Sequence, residues 1–435
     1  MSLEIIGVIG IVLLLVLMFL RMPLGPAMAL VGIAGLWYTI GLNQGVFVLS
    51  SSAYGVSSDY ILSPLPLFTL MALFAGSSGM SSDAFGAADK WVGHLPGGLA
   101  MASMGVCGVF AAVCGVNMAT AATMSAVAHP EMKRRNYSNS LSLGSICCGS
   151  QLGFMIPPST IFILYAFLTQ ESVGRLFMAG VLPGILITIL FIITIYIFAM
   201  INPEDAPPGE KSGWKERFVG LLPVWAILVL IILILVGIYA GYFTPTEAGA
   251  VGAFGALVLA MIKRKMSWKS FMRCLVETGQ VTGMIFMLII GSTVFGSFIA
   301  ISELPFWLSD FVSGLPLPPI AIMIMILLVY IITGFFMDVI AVIVLTVPII
   351  HPVLLTMGID PIWFGVLVVL TIMIGGVTPP VGVLVFTVAG MVKDASIDEI
   401  FRGIWPFMFA MLFALILLIL FPQISLWLPN AMMGW

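Results

Sequence analysis

The sequence predicts an all-α protein that crosses a membrane many times and contains two related halves. The chain has 435 residues, of which 61% are hydrophobic and only 8% charged. A soluble globular domain carries about 25% charged residues. Apolar stretches long enough to cross a bilayer recur from end to end, and interruptions recur at matching places in both halves. Paired interruptions of this kind are typical of secondary transporters.

The composition also excludes several classes of function. The net charge of −3 does not bear on nucleic-acid binding, but no basic stripe occurs, so no nucleic-acid partner is expected, whereas the lipid bilayer is an expected partner. The five cysteines have no metal-site spacing, and they are interpreted as small core residues. No P-loop, His-Glu-x-x-His or Ser-His-Asp pattern is present, so neither a catalytic residue nor an organic cofactor is predicted.

Ten apolar segments predict membrane-crossing helices. They lie at 3–20, 27–48, 62–80, 140–166, 176–200, 221–240, 248–262, 275–300, 363–391 and 404–425. The first is too long for a cleavable signal peptide, and the residues before it are not basic. Two further regions, 97–130 and 317–352, exceed one crossing and are interrupted near their middle, so each predicts a re-entrant helical hairpin.

The distribution of Lys and Arg predicts the orientation. Basic clusters lie at 133–135, 211–217, 263–273 and 393–402, whereas the loops near 41–60, 241–247 and 301–318 contain neither residue. The positive-inside rule places the clusters in the cytoplasm and both termini outside. The first hairpin is then based in the cytoplasm and the second outside, so the two halves are predicted to be inverted repeats.

The repeat is carried by two Pro-Pro breaks inside apolar segments, at 157–158 and 379–380. A His-Pro pair stands 27 residues before each break, at 129–130 and 351–352, which gives an offset near 222. Broken backbone within a bilayer survives only where protein or water satisfies its polar groups. A proline kink in an ordinary span is the alternative interpretation.

These features divide the chain into five predicted parts. They are scaffold helices at 1–61, a first repeat at 62–200 with its hairpin at about 97–132, a cytoplasmic loop and scaffold helices at 201–274, a second repeat at 275–425 with its hairpin at about 317–352, and a C-terminal tail at 426–435. The loop at 202–214 is polar and proline-rich, which predicts mobility.

The break in the second half predicts a cation site. Asp338 is an acidic residue at membrane depth, which is costly and points to function. Hard cations prefer oxygen ligands. Further oxygens are available from the carbonyls of Gly334, Met337, Gly376, Thr378 and Pro379 and from the Thr378 hydroxyl. The alternative is a carboxylate that only touches water or caps a helix.

The matching position in the first half is the neutral Asn117, with backbone oxygens nearby at Gly115, Gly153 and Pro157. Ser159 and Thr160 follow the break at a helix start, where hydroxyls and the helix dipole favour an anionic group. An N-cap is the alternative role of Ser159. The candidate substrate-binding residues are Asn117, Ser159, Thr160, Asp338 and Thr378.

Five motifs give the chain a family resemblance. They are Gly-His-Leu-Pro-Gly-Gly at 93–98, Ile-Pro-Pro-Ser at 156–159, Thr-Pro-Thr-Glu-Ala at 244–248, Gly-Ile-Asp-Pro at 358–361 and Thr-Pro-Pro-Val-Gly at 378–382. Over nearly its whole length the chain resembles the large membrane subunit of tripartite ATP-independent periplasmic (TRAP) transporters. The resemblance implies uptake across the bacterial inner membrane by a sodium-driven elevator. It also implies a small four-helix membrane subunit and a periplasmic substrate-binding protein that delivers an acidic solute.

When the residue roles of the family are carried over by position, the resemblance implies that Asn117 and Asp338 lie at the tips of the two hairpins, where the family binds sodium. Relatives often show Ser-Gly-Ser-Asn where this chain has Cys114, Gly115, Val116 and Asn117, so the part of Cys114 in sodium binding stays open. The chain starts at its first span, so the small subunit is expected to be a separate chain. Sialic acids and C4-dicarboxylates are both typical solutes of the family.

Two other classes of function compete with a sodium-coupled transporter. An ion channel with two re-entrant loops is the main alternative, but its pore should carry polar residues across several spans. An intramembrane enzyme is disfavoured because the sequence shows no nucleophile–base pair and no metal-ligand pair.

The predicted orientation can be checked by labelling. An impermeant amine reagent added from outside should leave Lys133 and Lys263 unmodified, because both lie in cytoplasmic clusters. Mass spectrometry of intact and permeabilised cells measures the difference. Ready labelling of either lysine from outside would contradict the inverted arrangement.

Overall fold

The fold is described from a computed structural model, which covers residues 2–114, 117–314, 316–379, 382–392 and 395–433. These residues form α-helices, two short 3-10 turns at Tyr60–Leu62 and Leu222–Val224, and no β-strand. In chain order the helices are α1 (Leu3–Phe19), α2 (Leu24–Ile40), α3 (Leu42–Ser58), α4 (Pro64–Ser77), α5 (Met80–Val92), α6 (Gly98–Cys114), α7 (Asn117–Arg134), α8 (Asn139–Met155), α9 (Thr160–Thr169), α10 (Val173–Ile201), α11 (Trp214–Leu221), α12 (Trp225–Tyr239), α13 (Pro245–Ile262), α14 (Trp268–Ile301), α15 (Leu304–Ser313), α16 (Pro319–Phe336), α17 (Val339–Thr356), α18 (Pro361–Val377), α19 (Val383–Met391), α20 (Ile397–Leu420) and α21 (Gln423–Met433).

Helix bounds in the two halves follow the same spacing. Helix α7 has 18 residues and starts at Asn117, and α17 has 18 residues and starts at Val339, 222 positions later. The next helices, α8 and α18, have 17 residues each and start at Asn139 and Pro361, again 222 positions apart. In both halves a shorter helix, α9 or α19, follows after a break, so the Pro-Pro motifs do interrupt their helices.

The centre of the molecule is built on α8 and α18. Both are buried on all sides, from Leu141 to Met155 and from Ile362 to Val377. A helix enclosed in this way can be apolar around its whole circumference. Helix α18 also passes very close to α16, because a Cβ on Gly375 would stand 2.8 Å from the Cα of Gly334. Only glycine permits this approach.

One predicted span is wrong. The span predicted at 27–48 is interrupted by a turn at Gly41, whose φ of +101° suits glycine, so the chain forms α2 and α3 in its place. Apolarity alone does not show where a chain turns. Most residues of the predicted C-terminal tail lie in α21, which packs against α10.

The loop predicted to be mobile is held by hydrogen bonds to the base of the first half. The amides of Gly97 and Ser138 donate to the carbonyls of Ala206 and Asp205, both at 3.1 Å. The Gly209 amide donates to the Gly93 carbonyl at 2.8 Å. Beside this base, Arg135 makes a bidentate ion pair with Asp89, and that hydrogen bonding raises the pKa of Arg135.

Among the described residues, eight helices are long and apolar enough to cross a membrane, or nine if the bent pair α8 and α9 forms one span. Helices α16 and α17, which are predicted to form the second re-entrant hairpin, are each long enough to cross the membrane on their own. Their re-entrant arrangement therefore remains a prediction from the sequence. The division into scaffold and repeat units also remains a prediction.

The labelling experiment gains a better probe from the structure. Lys263 forms an ion pair with Asp83, and its side chain is only 15% exposed, so it would resist labelling from either side. Lys265 is exposed and lies in the same basic cluster. Lysine introduced at the exposed Tyr242, in a loop predicted to lie outside, provides a positive control.

Candidate functional site

The two halves meet at a small cleft between the breaks in their helices, referred to here as the central cleft. It has a volume of about 10 Å³. Its described lining residues come from α7, α8, the α16–α17 break, α18 and α19, and they are Asn117, Met118, Gln151, Met337, Asp338, Val339, Gly376, Val383 and Leu384. A space of this size holds about one water molecule. It could therefore hold a bare monovalent cation but not an organic acid.

Asn117 and Asp338, the predicted tip residues, both line this cleft. Asn117 is the first residue of α7 and is 6% exposed. Asp338 is the N-cap of α17, and its Oδ2 accepts a hydrogen bond from the Ile340 amide at 3.2 Å. The structure therefore gives Asp338 the capping role considered as the alternative, and it also places the residue in the cleft.

Gln151 is the functional candidate that sequence reasoning missed. It is completely buried in α8, and its Oε1 accepts a hydrogen bond from Nδ2 of Asn117 at 3.0 Å. Its Nε2 donates to the carbonyl of Met373 on α18 at 3.3 Å, which joins the two central helices. Met373 stands 222 positions after Gln151, so the bond joins equivalent positions of the two halves. The signal available in the sequence was a long polar side chain six positions before Pro157.

The hydroxyl candidates are not brought to the central cleft. Ser159 is the N-cap of α9, where its Oγ donates to the Phe154 carbonyl at 2.7 Å and accepts from the Phe162 amide at 3.4 Å. Thr378 donates to the Ile374 carbonyl of its own helix. Both hydroxyls thus close broken helix ends, which satisfies backbone groups that lipid cannot.

The remaining predicted ligands divide into three groups. Met337 and Gly376 line the central cleft with Asp338. Gly153, Pro157, Thr160, Gly334 and Pro379 are not among its described lining residues. Gly115 and the side chain of Cys114 lie outside the described residues, so their part in a sodium site stays a prediction.

The electrostatics of the cleft suit a single small cation. Asp338 is the one charged residue among its described lining residues, and the other polar side chains are the carboxamides of Asn117 and Gln151. Neither carboxamide carries charge, so a bound ion would meet one formal negative charge together with neutral oxygen donors. In the part of the chain that the structure describes, no group of three or more His, Cys, Asp or Glu residues could hold a metal ion.

Many apolar helices, two similar halves and a polar cleft where their broken helices meet define a membrane protein of the transporter class. A family described as "Tripartite ATP-independent periplasmic transporter, DctM component" matches residues 11–424. The chain belongs to this family, and it is a multi-pass protein of the bacterial inner membrane. Its function is accordingly solute uptake that depends on a substrate-binding protein and a small membrane subunit.

Several characterised relatives are similar over most of the chain. The C4-dicarboxylate TRAP transporter large permease of Pseudomonas aeruginosa is 34% identical over 88% of this chain and 89% of its own length. The sialic acid TRAP transporter large permease of Vibrio cholerae is 30% identical over 96% of this chain and 97% of its own length. The isethionate TRAP transporter permease of Oleidesulfovibrio alaskensis is 33% identical over 92% of this chain, which spans only 64% of that protein.

A solved structure shares the fold. The YdaH transporter of Alcanivorax borkumensis superposes with a TM-score of 0.67 over 89% of this chain and 90% of that chain, at 13% identity. At this level of identity the similarity shows a shared fold, and it does not indicate which solute is transported.

The bond between Asn117 and Gln151 predicts a measurable coupling. Gln151→Leu should lower stability by about 1–3 kcal/mol, because it leaves the buried Asn117 amide without its acceptor. Asn117→Leu should cost a similar amount. The double variant should cost less than the sum, as measured by unfolding in detergent. Strictly additive losses would contradict a direct interaction between the two side chains.

Proposed function

We propose that this protein takes up an acidic organic solute in symport with sodium, by an elevator movement of the two hairpins and the broken helices. The observation that carries the proposal is the meeting of Asn117, Gln151 and Asp338, drawn from both halves, in a cleft with room for one small ion. A cation bound there would contact both halves at once. Its binding would therefore stabilise one arrangement of the halves over others.

The chemistry of the cleft supports sodium as the coupling ion. Asp338 supplies the formal charge, and Met337 and Gly376, whose carbonyls are candidate ligands, also line the cleft. The hydrogen bond from Asn117 Nδ2 to Gln151 leaves the carboxamide oxygen of Asn117 available as a ligand. Oxygen donors with a single negative charge are what a hard monovalent cation requires, by extension from the preference of Ca²⁺ and Mg²⁺.

The packing supports a movement in which the broken helices of both halves travel together as one rigid body. Helices α8 and α18 are enclosed by the hairpins and by α20, and they are joined by the Gln151 to Met373 bond. Helices α1 to α3 and α11 to α13 carry none of the repeated motifs, so they are the proposed static scaffold. Alternating access then arises from sliding of the enclosed unit past this scaffold.

Relatives support the class of solute and the partners. Their names specify isethionate, C4-dicarboxylates and sialic acid, all of which are acids. A sialic acid or a C4-dicarboxylate is proposed on this basis, delivered by a periplasmic binding protein and handled together with a small four-helix subunit on a separate chain. The ion-channel alternative receives no support, because the relatives are transporter permeases.

Replacing the carboxylate of Asp338 tests whether this residue couples sodium binding to solute uptake. In proteoliposomes containing the complete transporter, Asp338→Asn should raise the sodium concentration for half-maximal uptake at least about tenfold, because one formal charge at the ion is lost. Asp360→Asn is the matched control, since Asp360 caps α18 in the same way but does not line the central cleft. Wild-type sodium affinity and stoichiometry in Asp338→Asn would exclude this residue as a ligand.

A further inference from the structure

A pocket separate from the central cleft lies at the corner where α13 turns into α14. It has a volume of about 320 Å³. Its walls come from the last two turns of α13, the connecting turn and the first turn of α14, and its described lining residues are Leu257, Met261, Met266, Ser267, Trp268 and Phe271. All of these side chains except that of Ser267 are apolar or aromatic, so the pocket suits a hydrocarbon chain. It is referred to here as the corner pocket.

Hydrogen bonds fix the shape of this corner. At the end of α13 the Lys265 amide donates to the Ala260 carbonyl at 3.1 Å, and Arg264 takes a left-handed conformation with a φ of +54°. This is the pattern of a Schellman cap. At the start of α14 the Ser267 hydroxyl accepts a hydrogen bond from the Ser270 amide at 3.1 Å. Because both helix ends are capped, the pocket between them is preformed.

One wall of the corner pocket is made of stacked aromatic rings. The ring of Phe271 stacks against those of Trp268 and Phe74, with centroid distances of 5.4 and 5.8 Å. Phe74 belongs to α4, so the stack joins the corner to a neighbouring helix. Trp268 and Met261 are nevertheless 73% and 52% exposed, so the pocket opens at the outer surface of the molecule.

The corner pocket lies at the surface of the bilayer that is predicted to face the cytoplasm. The turn at 263–267 stands between two helices, Pro245–Ile262 and Trp268–Ile301, that are each long and apolar enough to cross a membrane. The second helix has 34 residues and is about 51 Å long, whereas the hydrocarbon core is about 30 Å thick. The basic residues at its start place that end among the lipid headgroups, where tryptophan is also enriched.

Three cations flank the lining residues in the sequence. Arg264, Lys265 and Lys269 are exposed, and none of them forms an ion pair with a carboxylate of the described residues. The neighbouring Lys263 differs, because it is paired with Asp83. Basic side chains beside a gap between membrane helices on the cytoplasmic side suit phosphate-bearing headgroups. The corner therefore combines a positive rim with an apolar pocket.

We propose that the corner pocket binds an anionic phospholipid of the cytoplasmic leaflet, with an acyl chain against the aromatic stack and the headgroup phosphate at Arg264, Lys265 and Lys269. The pocket alone would not select this lipid, because an acyl chain that enters it leaves an equally apolar bilayer. The selection comes from charge, since each basic residue near the membrane surface favours an anionic lipid by about fivefold. The inference does not depend on sodium coupling or on the identity of the solute.

The fluorescence of Trp268 tests the proposal. The complete transporter is placed in phosphatidylcholine bilayers that contain brominated phosphatidylglycerol or brominated phosphatidylcholine with the same acyl chains. Bromine quenches a tryptophan that it contacts, and subtraction of the signal of Trp268→Phe isolates this residue from the rest of the ten tryptophans in the chain. The association constant of phosphatidylglycerol at Trp268 should exceed that of phosphatidylcholine at least about tenfold.

A variant without the positive rim assigns this preference to the corner. It combines Arg264→Gln, Lys265→Gln and Lys269→Gln, each measured with and without Trp268. The ratio of the two association constants should fall at least about fivefold, because the charges that attract the phosphate are gone. Quenching by phosphatidylcholine should stay as in the wild type, since the apolar pocket is unchanged.

A control variant removes the same formal charge elsewhere. It combines Arg134→Gln, Lys211→Gln and Lys215→Gln, which replace exposed residues of other basic clusters predicted to be cytoplasmic. Its ratio of association constants should match that of the wild type. All six replaced side chains are exposed, so neither variant should disturb folding.

Three results would overturn the proposal. Equal association constants for the two lipids in the wild type would exclude a preference for anionic lipid. A fall in the control variant as large as in the corner variant would assign the preference to the general charge of the surface. Absence of quenching of Trp268 by both lipids would show that another part of the complex covers the pocket.

Discussion

The rest of the structure depends on the hydrogen-bonded connection from Asn117 through Gln151 to the carbonyl of Met373. It satisfies polar groups in a region where neither water nor lipid would satisfy them. It also fixes the first hairpin tip to α8, and α8 to α18, at equivalent positions of the two halves. Asn117 and Gln151 line the same cleft as Asp338, so the proposed ion site and the contact between the halves lie in one place.

The size of the central cleft limits what it can do. It is about the size of one water molecule, and its walls belong to both halves. An ion in this space would contact both halves at once, so its binding would favour one arrangement of the two breaks over others.

Much of this architecture could be predicted from the sequence because its signals are local. A Pro-Pro pair inside a long apolar segment breaks the helix there, and the offset of 222 between the two pairs recurs in the matching starts and lengths of α7 and α17 and of α8 and α18. Asp338 and Asn117 were found because a polar residue at membrane depth is conspicuous. The two ends of the chain were less predictable, since the turn at Gly41 and the docking of α21 depend on tertiary contacts.

The site was predicted less completely than the fold, for a related reason. Gln151 matters because of what lies opposite it, and no local pattern marks that. Conversely, Ser159 and Thr378 looked like ligands because hydroxyls near a helix break suit an anion or a cation. In the folded chain those hydroxyls are bonded to the broken helix ends themselves.

The central claim is that the cleft shared by the two halves binds the coupling ion. The most direct measurement is a high-resolution structure of the complete transporter in sodium, compared with one in choline. The account predicts ion density between Asp338 and Asn117 in sodium and its loss in choline. Sodium-driven uptake by the same preparation, with that cleft free of ion density in both structures, would contradict it.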